Sequence, residues 1–83
     1  MQYEIDTAEL MRLVDDQRHA QRTTWRKVAA ETGLSYQTLS QLKTGAKDQP
    51  SLGTFLALLD WLSLTELNKG RLMTRLTVTR ENP

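Results

Sequence analysis

Four side chains with hydrogen-bonding groups stand together in AAETGLSYQTLSQLKTG, residues 29 to 45. They are Ser35, Tyr36, Gln37 and Thr38. They open a segment in which Leu39 and Leu42 recur at helical spacing, directly after a turn that contains a glycine. Hydroxyl and amide groups recognise polar surfaces through directed hydrogen bonds. We therefore interpret this segment as a helix that is presented to DNA.

Residues suited to covalent chemistry are scarce. His19 is the single histidine, there is no cysteine, and the chain has neither a glycine-rich phosphate loop nor an H-E-x-x-H zinc pair. Asp15 and Asp16 are adjacent, so their carboxylates diverge by about 100 degrees on a helix. We expect that the protein is not an enzyme and that it uses no cofactor, metal or small-molecule ligand.

Composition indicates one small globular domain. The 83 residues are 39% hydrophobic and 25% charged, which suits a single core. The absence of cysteine excludes a disulfide framework and favours a reducing compartment. MQYEIDTAEL carries acids where a signal peptide would carry bases, and no apolar run approaches the roughly 18 residues of a membrane span. The expected location is the cytoplasm, with no membrane partner.

Charge is distributed unevenly along the chain. Residues 1–11 carry a net charge of −3, whereas residues 17–47 carry +5, although the whole chain has only +1. A basic segment around the proposed helix favours a polyanionic partner. A second interpretation is equally open on charge alone, in which the basic side chains only solvate helix surfaces.

The pattern predicts four helices and a short fifth one. Asp6 is placed to cap helix 1, with Glu9 as its capping-box partner and Ile5 packed on Leu10, and this helix is expected to end near His19. The later helices have equally local signals. Thr24, Ser35 and Ser51 are N-caps for helices 2, 3 and 4, and Gly33 and Gly45 end helices 2 and 3.

Helix 4, LGTFLALLDWL, is the most apolar segment and should lie at the centre of the core. Its buried stripe is predicted to be Phe55, Leu58, Leu59 and Leu62, widened by Leu52, Leu56 and Trp61. Helix 5 is predicted from Thr65 to about Lys69, where Gly70 breaks it.

The C-terminal tail, residues 71–83, changes its period. In RLTVTR, Leu76 and Val78 alternate with polar residues, which predicts a β-strand. Because the rest of the chain has a helical pattern, the expected partner of this strand is the same segment of a second copy. The alternative is a frayed terminus.

The spacing around Gly33 is that of two steeply crossed helices. Val28 and Ala29 precede Gly33 by five and four positions, and leucines follow it by one, six and nine. These offsets are typical of a helix-turn-helix, whose second helix enters the major groove.

TWRKVAAETGLSYQTLSQLKTG followed by PSLGTFLALLDWLSLTEL resembles the Cro and C1-type helix-turn-helix family of phage repressors, over about residues 7 to 69. The resemblance implies an all-α, lambda-repressor-like DNA-binding domain of four to five helices in residues 1–70, with a possible short C-terminal strand. It also implies a homodimer that binds a palindromic operator in double-stranded DNA. Such a transcriptional regulator would be a phage or prophage repressor or Cro-like protein in the nucleoid of a bacterial host.

The resemblance also implies roles for individual residues of this sequence. The base-reading positions are Tyr36, Gln37, Thr38, Ser40 and Gln41. The glutamine amides can bond N6 and N7 of adenine together, the Thr38 methyl can contact a thymine methyl, and Tyr36 can stack on a sugar or reach a phosphate instead. Contacts to the DNA backbone fall on Arg22, Thr24, Trp25, Arg26, Lys27, Ser35, Lys43 and Lys47. Dimerisation is predicted to use Leu72, Met73, Leu76 and Val78.

One position departs from the family pattern. Trp25 stands where the family commonly has a glutamine. Its indole N–H can donate to a phosphate, its ring can pack against helix 1 or helix 4, and both can hold at once. Two alternative functions also stay open, namely an antitoxin or accessory recombination factor with the same fold, and a protein-interaction module that leaves the recognition helix idle.

Overall fold

The computed structural model describes residues 2–62 and 66–80, and side chains within residues 4–62 and 67–77. In this part the chain forms five helices and two short strands. They are β1 Gln2–Ile5, α1 Thr7–Ala20, α2 Trp25–Thr32, α3 Tyr36–Thr44, α4 Leu52–Trp61, α5 Glu66–Leu76 and β2 Thr77–Arg80. This architecture confirms the predicted all-α fold with a short C-terminal strand.

The predicted helix caps are confirmed. The side chains of Thr24, Ser35 and Ser51 each accept a hydrogen bond from a backbone N–H in the first turn of α2, α3 and α4. Gly33 and Gly45 have φ angles of 76° and 80°, the left-handed conformation that lets the chain leave a helix sharply. These local interactions set the bounds of α2 and α3, and each cap stabilises its helix by about 1 kcal/mol.

The predicted capping box at the start of α1 is only half formed. Asp6 accepts from the backbone N–H of Glu9, as expected, but the N–H of Asp6 donates to the carbonyl of Leu76. The Glu9 carboxylate instead accepts hydrogen bonds from Arg12, at 2.6 Å, and from Arg75, at 2.7 Å. The prediction for Glu9 is therefore wrong, because two arginines outcompete a single backbone donor for its charge.

These arginines make Glu9 a source of pH-dependent stability. The hydrogen bond from Arg12 is the main cause that lowers the pKa of Glu9, and the charge of Arg75 acts in the same direction. A carboxyl group with a lowered folded-state pKa stabilises the fold above its ordinary pKa of about 4.3, and this stability is lost as the pH falls through the folded-state value.

Glu9→Gln is therefore expected to lower the unfolding temperature near neutral pH and to leave it unchanged in strong acid, about pH 2, where Glu9 is protonated in both states. Thermal unfolding followed by circular dichroism across this pH range would measure the difference. Asp16→Asn, which removes the more exposed partner of Arg12, is the control and should give a smaller gap. An equal deficit at every pH would contradict this account.

The core joins all five helices. The buried hydrophobic residues are Leu10, Met11, Val14, Val28, Ala29, Leu39, Leu42, Phe55, Leu58, Leu59 and Leu76. The predicted widening of the α4 stripe is wrong for two leucines, because Leu52 and Leu56 are 67% and 42% exposed. Leu56 follows Phe55 directly, so it projects about 100 degrees away from the stripe that faces the core.

The predicted end of helix 5 at Gly70 is also wrong. α5 passes through Gly70 and ends at Leu76, and the expected start at Thr65 lies outside the described residues. Leu72 and Leu76, four residues apart on α5, pack against or within the core. Burial of these side chains offsets the roughly 1 kcal/mol that a helical glycine costs.

The C-terminal strand pairs within its own chain. β2 is antiparallel to β1, in a register from Gln2↔Arg80 to Ile5↔Thr77, so the prediction of a second copy as the strand's partner is wrong. The N–H and C=O of Ile5 also bond to the side-chain amide of Gln49, at 2.8 Å each. The terminal sheet is thus attached to the loop that follows α3.

The residues predicted for dimerisation separate into different environments. Leu76 is fully buried in the core of its own chain, so its assignment to a dimer contact is corrected. Leu72 is partly buried against that core, Met73 is 37% exposed, and the side chain of Val78 lies outside the described residues. Of the helices in the described ranges, none has the length and apolarity needed to cross a bilayer.

Candidate nucleic-acid interface

The recognition helix α3 divides into an inner and an outer face. Leu39 and Leu42 are buried in the core, whereas Gln37 is exposed and Gln41 is half-buried. The two amides make no side-chain hydrogen bond to the described part of the chain. Because burial of the leucines fixes the rotation of the helix, both glutamine side chains are left free to bond a ligand outside the protein.

Ser35 and Thr38 are already engaged with each other. The hydroxyl of Ser35 accepts from the backbone N–H of Thr38 at 3.0 Å, and the two hydroxyl groups lie 2.8 Å apart. This cap occupies the Thr38 hydroxyl and leaves its methyl group as the part available for a base contact. Ser40 is half-buried one turn further along α3.

Trp25, at the start of α2, connects three helices. Its ring is partly buried against the core, with the guanidinium of Arg18 at 5.3 Å from the ring centroid and the ammonium of Lys43 at 4.6 Å. Cations near an aromatic ring are attracted by its quadrupole. The packing role considered for Trp25 is therefore present, and it links α1 and the end of α3 to the first turn of α2.

A second contact of this kind links the starts of α2 and α3. The guanidinium carbon of Arg26 lies 4.8 Å from the ring centroid of Tyr36, and Tyr36 is 43% exposed. Neither stack was predicted, because each joins residues that lie on different helices. A basic residue two positions after an N-cap, with an aromatic residue opening the next helix, was the only signal in the sequence.

Ion pairing separates the basic residues into two groups. Arg12 and Arg18 on α1 bond to acidic side chains of the same helix. The other basic side chains from the end of α1 to the loop after α3 have no acidic partner among the described residues: Arg22, Arg26, Lys27, Lys43 and Lys47. These five are the cations predicted to contact the DNA backbone, and their charge is available to an outside anion.

A solvent-open groove of about 700 Å³ runs between α1 and the end of α3. Its floor includes Met11 and Leu42, and Lys43 and Lys47 stand along it. Asp48 and Asp15 also line the groove, so the charge is mixed. The groove continues the basic edge of α3, and an open, cation-lined edge suits a polyanion more than an enclosed small molecule.

The turn that brings α2 in has an unusual residue. Arg22 has a φ angle of 53°, the left-handed region that residues other than glycine rarely adopt. Its N–H donates to the carbonyl of His19 at the end of α1. This conformation, which no sequence signal indicated, directs the chain from α1 to Thr24.

Comparison with known proteins agrees with this geometry. A family model described as helix-turn-helix matches residues 16–66. No curated protein and no solved structure gives a significant match.

Proposed function

The chain belongs to the Cro/C1-type helix-turn-helix family and is a DNA-binding transcriptional regulator, and from this premise we propose that it binds a palindromic operator as a homodimer. The observation that carries the proposal is the outer face of α3, where the amides of Gln37 and Gln41 have no protein partner. In this arrangement α3 of each subunit lies in the major groove.

Base recognition and backbone contact are divided between the two helices of the motif. Gln37 and Gln41 bond adenine edges, and the Thr38 methyl contacts thymine. The first turn of α2, at Thr24 to Lys27, directs backbone N–H groups and two unpaired cations toward phosphates. Lys43 and Lys47 hold the backbone at the other end of α3. Occupation of an operator that overlaps a promoter would repress transcription, as in a phage or prophage repressor.

For the contact between subunits we propose the surface of α4 and α5. Leu52 and Leu67 are each 67% exposed, and Leu56 and Met73 line one groove between the two helices. Exposed leucines that occur singly are ordinary, but adjacent ones favour a partner. A second copy is the occupant, because a palindromic operator requires two identical subunits related by a twofold axis.

Selection of bound sequences from random duplex DNA, followed by footprinting, tests the operator proposal. We expect two inverted half-sites whose centres lie about 34 Å, one helical turn, apart. Sedimentation should show a dimer on this DNA, and Leu56→Asp should weaken dimerisation without loss of the helical circular-dichroism spectrum. A wild-type protein that stays monomeric both free and on the selected DNA would refute the homodimer.

The unpaired cations give a separate prediction. Lys27→Gln is expected to reduce the slope of log affinity against log salt by about 0.9, the value for one lost phosphate contact. Arg71→Gln removes the same charge from an unpaired arginine on α5 and should leave the slope unchanged. Binding titrations between about 50 and 200 mM salt would measure both slopes. Equal effects of the two substitutions would argue against a phosphate contact at Lys27.

A further inference from the structure

The Arg26–Tyr36 stack lies where the two helices of the motif meet the proposed DNA surface. Arg26 is the second residue of α2 and Tyr36 the first residue of α3, and the guanidinium carbon lies 4.8 Å from the ring centroid. Both side chains are exposed. The contact therefore contributes little to the core, and its position at the start of the recognition helix calls for a role in binding.

Arg26 restrains a ring that is otherwise loosely held. The Tyr36 hydroxyl makes no hydrogen bond to the described residues, so its tip is not anchored. The guanidinium covers one face of the ring and leaves the other face and the ring edge open. Arg26 has no acidic partner in the described part of the chain, so its N–H groups can also bond a phosphate while it stacks.

The open part of the ring suits one feature of the major groove. Thymine alone presents an apolar group there, its C5-methyl, whereas the other base edges present hydrogen-bond donors and acceptors. The first residues of a recognition helix contact base edges. An aromatic ring held at that place has apolar surface to bury against a methyl group.

We propose that Arg26 is a positioning residue for Tyr36, and that the ring it holds contacts the methyl group of one thymine in each operator half-site. The inference rests on the proposed function and deepens it. Arg26 then contributes to sequence preference as well as to salt-dependent affinity, although it touches no base.

Replacement of each operator thymine in turn by deoxyuridine removes one methyl group and nothing else. Wild-type protein should lose about 4-fold in affinity at one thymine per half-site, the value for one buried carbon group. Tyr36→Ala should abolish this loss at that position only, and Tyr36→Phe should keep it. A thymine read by Thr38 would respond to Thr38→Ser and not to Tyr36→Ala.

Arg26→Met keeps a long side chain but removes the charge, and it should reduce the methyl effect at the Tyr36 position to less than about 2-fold. Arg26→Lys should restore part of it. Lys27→Gln is the matched control, since it removes the adjacent unpaired charge and should weaken binding without changing the methyl effect. Unfolding temperatures of all variants verify that they are folded.

The outcomes separate this inference from the proposed function. Failure of the wild-type protein to select any operator would defeat the proposed function itself. Operator binding with no thymine sensitive to Tyr36→Ala would overturn the methyl contact alone. A full methyl effect in folded Arg26→Met would overturn the positioning role of Arg26.

Discussion

Replacement of both Gln37 and Gln41 by alanine is expected to abolish sequence-specific operator binding and to leave weak binding to DNA of any sequence. Each bidentate contact to a base discriminates by about 1–3 kcal/mol, so the pair accounts for roughly 2–6 kcal/mol, or about 30-fold to 10⁴-fold. The cations of α2 and of the loop after α3 are untouched, so the non-specific term persists.

Fluorescence anisotropy at one fixed salt concentration, with the operator and a scrambled duplex of equal length, would measure the ratio of affinities. Gln17→Ala on α1 is the matched control, because it removes the same amide far from the outer face of α3. Unchanged operator binding and regulation in the double variant would favour the alternative of a protein-interaction module.

The helix bounds could be predicted because their causes are local. An N-cap is a contact between residues three apart, and the turns at Gly33 and Gly45 depend on the conformation of a single residue. The same locality allowed the two faces of α3 to be assigned from the spacing of Leu39 and Leu42. The family match over residues 16–66 covers this region.

The errors arose where distant residues compete for a local one. Glu9 has the spacing of a capping-box residue, but Arg75, 66 positions later in the chain, takes part of its charge. Gly70 has the composition of a helix end, but α5 continues because Leu76 reaches the core. β1 is only four residues long, too short for its alternation to stand out before α1.

The basic residues illustrate the same limit at the site. Sequence identifies Arg18 and Arg26 as equivalent positive charges near α2. In the structure Arg18 pairs with Asp15, whereas Arg26 has no acidic partner among the described residues and stacks on Tyr36. Which cation is available to DNA depends on side-chain neighbours that residue type and spacing do not specify.

Leu76→Ala is expected to destabilise the fold severely, by about 2–5 kcal/mol, because it leaves a cavity in the core. Leu76 is fully buried, and its carbonyl accepts the N–H of Asp6, so the end of α5 holds the start of α1. A domain of this size has about 5–15 kcal/mol of stability in total, so a substantial part would be lost.

Met73→Ala on the same helix is the control for this substitution. Met73 is 37% exposed, so its truncation should cost less than about 1 kcal/mol in the free energy of unfolding. Urea unfolding at low protein concentration would compare the two variants. If Leu76→Ala kept wild-type stability and instead weakened only dimerisation, the C-terminal segment would be an assembly element and not part of the core.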